Sequence, residues 1–174
     1  FLKIIVSYNQ TIDIVKEDVT DEPVSLAEAK AFCKVDVSDD DDLIAELITA
    51  AREYCESYTG IAFVKREFIT TLNNCNGGYY LPYGPIEELT KLEDEDGTEI
   101  EAADYKVAGT NWMKIKEPKA LQLTATYTGG YETLPNILKT ALLNAIFYLY
   151  DNRSVATDSI GPIAESKLKM YRRV

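Results

Sequence analysis

Residues 23–60, PVSLAEAKAFCKVDVSDDDDLIAELITAAREYCESYTG, constrain the fold more than any other stretch, because they spell out the ends of two successive helices. Ser25 and Glu28 stand at capping-box spacing. The Ser side chain accepts from a first-turn N–H, and the Glu side chain reaches back to the cap's own N–H. A short helix therefore begins at Leu26, with Leu26, Ala29, Phe32 and Cys33 on its apolar side and the β-branched run Val35-Asp36-Val37 ending it. A second start follows at once. Ser38 and Asp39, Asp40, Asp41 and Asp42 supply caps and negative charge at the positive end of the helix dipole. Leu43, Ile44, Leu47, Ile48, Ala51, Tyr54, Cys55 and Tyr58 recur at helical spacing, and Gly60 provides a left-handed stop.

Beyond Gly60 the hydrophobic period changes from helix to strand. Residues 63–72 are rich in β-formers, 73–78 form a turn, and Tyr79-Tyr80-Leu81 make a short strand halted by Pro82 and Gly84-Pro85. Asp96-Gly97 is a hairpin signal between Ile86–Leu92 and Thr98–Ile100. With strands at 105–107, 112–116 and 121–127, the spacing predicts an antiparallel module of five or six strands across residues 63–130. Leu134-Pro135 then opens a third helix, apolar over much of its circumference and ending near Asp151-Asn152-Arg153. The fold class is thus α+β: a small bundle of two N-terminal helices and one C-terminal helix (23–62 plus 131–153), with an inserted antiparallel β-sheet module (63–130). An extended arm (1–22), with one alternating run at Thr11–Val15, precedes it, and a linker with a basic tail (154–174) follows.

Composition removes several function classes. No apolar run approaches the roughly 18 residues of a membrane span. Phe1–Val6 lacks the length and cleavage pattern of a signal peptide, and the absent initiator Met points to a trimmed start. Histidine is absent, which removes the commonest general base, the Ser-His and Cys-His nucleophiles and the commonest zinc ligand. The three cysteines, Cys33, Cys55 and Cys75, have no CxxC spacing, and two lie on apolar helix faces, so reduced buried thiols are expected. The net charge of −11 is unevenly spread: residues 1–62 carry 14 acidic against 5 basic side chains, whereas residues 163–174 carry Lys167, Lys169, Arg172 and Arg173 against Glu165.

Each chemical motif has a bland counterpart. Asp39–Asp42 does not fit the calcium-loop pattern of alternating oxygen ligands, sixth-position Gly and terminal Glu, and residues 92–97 have the Gly but put Leu92 in the first ligand position, so capping and solvated charge account for them and no metal or cofactor is expected. Glu53 and Glu56 have the spacing of a general acid and base, but sit where a solvent face is the simpler account. Tyr79, Tyr80, Tyr83, Tyr105, Trp112 and Tyr127 suit either single-strand stacking or core packing, and no basic surface surrounds them in sequence. The tail IAESKLKMYRRV suits phosphate contact, docking into an acidic groove, or a frayed end.

The order of elements resembles the head-tail connector family (adaptor, or head-completion, proteins) of long-tailed double-stranded DNA bacteriophages. The residues that carry it are Val24–Lys30, the acidic helix start with Leu43-Ile44, Ala50–Tyr54 with Glu56, Tyr58-Thr59-Gly60, Leu81-Pro82, Asp96-Gly97, Gly130-Tyr131, Leu134-Pro135, and Tyr148 with Asn152-Arg153. The arm at 1–22 is longer and more acidic than the family pattern. The resemblance implies a non-enzymatic virion protein, made in the host cytoplasm and located in the neck. It would form a ring of twelve copies between the portal and the next tail or head-completion component, with double-stranded DNA passing through the lumen without sequence-specific binding. Portal contacts would fall on Ile163, Lys167, Leu168, Lys169, Met170, Tyr171, Arg172 and Arg173. Asp39, Asp40, Asp41, Asp42 and Glu46 would face the channel or a subunit boundary, and the sheet module would serve lateral and axial contacts. Two other readings stand beside it: a non-viral or host-side interaction module of similar shape, and a small carboxylate-based enzyme.

Overall fold

The computed structural model describes residues 11–73, 78–109, 112–116, 120–153 and 159–172. The chain forms two compact units, one of helices (Thr20–Val64 with Thr133–Arg173) and one of strands (Lys65–Glu132 with the N-terminal strand).

In the helical unit, α1 spans Leu26–Cys33 and carries the full capping box: the Ser25 Oγ accepts from the Glu28 N–H, and the Glu28 carboxylate accepts from the Ser25 N–H at 3.1 Å. It ends on Lys34 in the left-handed conformation, φ 58°, one residue before the β-branched stop. Helix α2 is Asp41–Thr59, capped at its far end by Gly60 at φ 72°, whose N–H donates to the Glu56 carbonyl. Asp40 is its N-cap residue but makes no side-chain cap bond, a departure from the capping predicted for the aspartates. Helix α3, Asn136–Asp151, follows Pro135, and its Leu138, Ala141, Leu142, Ala145 and Ile146 are buried. Ile44, Ile48, Ala51 and Cys55 of α2, and Ala29 of α1, are buried in the same unit. This is the stripe-to-stripe burial that stabilises short amphipathic helices.

A fourth helix corrects the sequence reading. Pro162–Leu168 forms α4, continued by a 3-10 turn at Lys169–Tyr171, where a linker and tail were expected. Pro162 occupies the first turn, Ser159 ties the entrance through Glu165 (2.6 Å) and the Gly161 N–H (2.9 Å), and Ile160, Ala164 and Leu168 are buried. Gly161 has φ 90° and lies so close to Tyr148 of α3 that a Cβ would sit 2.6 Å from the ring. Ile160, Ala164 and Leu168 recur four apart, but a helix of 7 residues is too short for that spacing to stand out in sequence.

The strand unit holds two antiparallel sheets rather than one. Strands β1 (Thr11–Lys16), β2 (Arg66–Asn73), β4 (Ile86–Glu93) and β7 (Gln122–Gly129) form a four-stranded sheet in the order β1-β2-β7-β4. Strands β3 (Tyr79–Tyr80), β5 (Lys106–Ala108) and β6 (Lys114–Lys116) form a smaller one, β3-β6-β5. The alternating run of the arm is edge strand β1, paired with β2. Arm residues 1–10 lie outside the described residues. The central β2–β7 pair runs unbroken from Arg66↔Gly129 to Asn73↔Gln122; β2 alternates buried with mostly exposed side chains, and β7 alternates buried with half-buried ones. The ring of Phe68 stacks between those of Tyr83 (5.4 Å) and Tyr127 (5.5 Å), while the Lys16 ammonium lies 3.8 Å above the Tyr83 ring. The Asp96-Gly97 turn forms, with Asp94 Oδ1 accepting from the N–H groups of Asp96 and Thr98. Its returning limb makes only one bridge, Glu93↔Glu99, because the short acidic run after it contributes little to bury.

Candidate functional site

Helix α2 has 19 residues and is therefore about 28 Å long at 1.5 Å per residue. Its start is acidic, and the segment that packs beside its far end is basic. At the start, Asp39, Asp42 and Glu46 are exposed, while Asp40 and Asp41 are half-buried and engaged in tertiary bonds. Asp40 accepts the Tyr150 hydroxyl of α3 at 2.5 Å, and Asp41 pairs with Lys30 of α1. The hydrogen bond to Asp40 raises the Tyr150 pKa. Two of the four aspartates thus fasten α1 and α3 to the head of α2, and the other two face solvent. Among the described residues no group of three or more acidic or cysteine side chains is placed to hold a metal ion.

The other end meets the C-terminal segment. The Arg172 guanidinium lies 5.2 Å from the Tyr58 ring at the end of α2, and Ile163 (60 % exposed), Met170 (73 % exposed), Lys169 and Arg172 present a mixed apolar and basic surface. Lys167 and Tyr171 are half-buried. Leu168 is fully buried in the unit's own core and presents no surface to a partner in the folded chain. Arg173 lies outside the described residues.

The sequence reading mistook one charged group altogether. Glu56, assigned to a solvent face, is 1 % exposed; it accepts the Phe63 N–H at 2.8 Å and pairs with Arg52 at 3.3 Å. Arg52, also buried, donates from Nε to Glu22 at 2.8 Å, and Thr49 donates to the same carboxylate. Burial works against the Arg52 charge, but the Glu22 hydrogen bond and the neighbouring carboxylates outweigh it and its pKa rises. The available signal was the i,i+4 spacing of Arg52 and Glu56 beside a core stripe. Glu53, its supposed acid-base partner, is exposed. Burial, followed by the Glu56 charge, pushes the Cys55 thiol up to about 12. Of the aromatics, Tyr79, Tyr83 and Tyr127 are core, Tyr105 and Trp112 are half-buried, and Tyr80 is exposed. Among the described residues no helix is long and apolar enough to cross a membrane.

The fold is one found in gene transfer agent particles. A chain in the neck of an empty gene transfer agent particle, computed with C6 symmetry, superposes with TM-score 0.73 at 19% identity over 94% of this chain and 96% of that one. A chain in the virion of the native gene transfer agent particle gives 0.75 at 18% identity over 94% and 96%, and one in the native neck computed with C12 symmetry gives 0.67 at 17% over 92% and 96%. No curated protein matches the sequence significantly. Residues 23–167 match the model of the phage gp6-like head-tail connector proteins, and the chain belongs to that family. It is a structural connector, not an enzyme.

Proposed function

We propose that copies of this chain close into a ring of twelve in the virion neck, joining the portal to the next tail or head-completion component and continuing the DNA channel. The family match over residues 23–167 carries this reading, and the averaging of similar neck chains with C6 and C12 symmetry supports a cyclic assembly. The net charge of −11 suits a lumen that DNA slides through, since like charge weakens the phosphate contacts that would hold it. Asp39, Asp42 and Glu46 are the exposed acidic groups assigned to the channel or subunit boundary, with Asp40 and Asp41 positioned behind them. Ile163, Lys169, Met170 and Arg172 are the surface assigned to the portal, with Lys167 and Tyr171 at its margin.

Electron microscopy of particles should show a twelve-subunit ring of this chain beneath the portal, and particles assembled without it should lack a joined tail. A chain absent from purified virions refutes the proposal. Deleting residues 163–174 would remove buried Ala164 and Leu168, so the portal assignment is tested instead with Ile163→Ser, Lys169→Glu, Met170→Ser and Arg172→Glu together. A folded variant that still joins the portal refutes that assignment.

A further inference from the structure

The small sheet gathers positive charge on one face of an acidic protein. Its register pairs Tyr80 with Lys114 and Lys114 with Ala108, and places Lys106 opposite Lys116. Side chains two apart on a strand share a face, so Lys106, Lys114, Lys116 and Tyr80 stand together, on the side opposite the buried Tyr79 and Ile115. Lys106 and Lys116 are exposed, Tyr80 is 44% exposed, and the Lys114 ammonium lies 4.5 Å from the centre of the Tyr80 ring. Among the described residues neither Lys114 nor Lys116 forms an ion pair with a carboxylate.

The same unit carries the complement. Residues 93–104, EDEDGTEIEAAD, hold seven acidic side chains and no basic one. Asp94 is used by the turn, whereas Glu95, Asp96, Glu99 and Glu101 are exposed at its tip. A cyclic ring needs two different, mutually complementary patches on each subunit, because each contact is head-to-tail. We infer that the lysine face of the β3-β6-β5 sheet receives the acidic 93–104 turn of the neighbouring copy, and that this is a lateral contact of the ring. The inference rests on the ring reading above and specifies which surfaces of the strand unit close it. Tyr80 gives the contact an apolar centre, and the lysines around it set register and partner choice more than they add raw affinity.

Charge exchange tests this. The full chain carrying Lys106→Glu, Lys114→Glu and Lys116→Glu should lose ring assembly, measured by native mass spectrometry and negative-stain microscopy, with subunit association weakened about tenfold or more. The full chain carrying Glu95→Lys, Asp96→Lys and Glu99→Lys should fail in the same way. Combining all six changes in one chain should restore the ring, as should mixing the two triple variants, since each then offers the other's complement. Circular dichroism of each variant separates assembly from folding, and the two rescues cannot arise from misfolded chains. A wild-type ring left intact by the lysine reversal, or folded triple variants that neither rescue restores, overturns the contact while leaving the ring reading in place. Lysine variants that form rings but fail only to attach the next neck component, or to retain DNA, also overturn it, because the face would then serve another partner. A wild-type chain that forms no ring in particles overturns the ring reading and this contact together.

Discussion

Replacing Arg52 with Ala tests how the helical unit holds its buried charge. Arg52 bonds Glu22 at 2.8 Å and Glu56 at 3.3 Å, and Glu56 is 1% exposed. The substitution leaves the Glu56 carboxylate buried without this guanidinium, its bond from the Phe63 N–H still present at 2.8 Å. Removing one partner of a buried pair costs about 3–5 kcal/mol. The Glu22 side chain is 23% exposed and can rehydrate, which places the cost near the lower end, about 3 kcal/mol. For a chain of this length that corresponds to a fall of roughly 6–12 °C in Tm. Glu53 provides the internal control. Its side chain is 67% exposed and 3.8 Å from Arg52, so Glu53→Gln should change stability by less than about 0.5 kcal/mol. Urea titration measures both, and hydrogen exchange at the Phe63 amide reports the local loss. An Arg52→Ala cost below about 1 kcal/mol, or one matched by Glu53→Gln, would refute the reasoning.

Other consequences follow from single contacts. The Lys139 hydrogen bond, then the Ser25 N–H, hold the Glu28 pKa down to about 2 from 4.5, so its contribution is fully present above pH 4.5 and is lost as pH falls towards 2. Glu28→Gln should therefore cost less than about 1 kcal/mol at pH 7, after allowing for solvent screening, and the gap from wild type should close between pH 4.5 and 2 in acid titrations of stability. Gly161→Ala should loosen α4, because φ 90° and the Tyr148 ring leave no place for a Cβ; faster trypsin cleavage after Lys167 measures it, and unchanged cleavage would contradict the packing. Cys55, buried with its pKa near 12, should resist thiol reagents at pH 8 until the protein unfolds, whereas half-buried Cys33 should react in the native state.

How much was legible in the chain differs from element to element. The start of α1 was readable to the residue, because a capping box is a contact between positions three apart and needs no tertiary partner. The α2 stripe, the Gly60 stop and the β2 and β7 alternation were legible for the same reason: helix and strand periods project directly onto sequence. The exposed aspartates and the tail's basic character could also be named, but not the division of labour within them. That Asp40 and Asp41 fasten α1 and α3 while Asp39 and Asp42 stay in water depends on Tyr150 and Lys30, which lie 110 and 11 residues away.

Sequence alone determined the local grammar of this protein: where helices begin, which faces are apolar, which chemistries the absence of histidine removes, and which family the element order resembles. Tertiary structure alone decided that Arg52 and Glu56 are buried, since an i,i+4 ion pair has the same spacing in water and in a core. It also decided that the strands divide into two sheets, that α4 packs through Gly161, and that three lysines from two strands share one face. Those outcomes depend on which distant segments become neighbours, and burial, pairing and charge opposition are properties of neighbours in space.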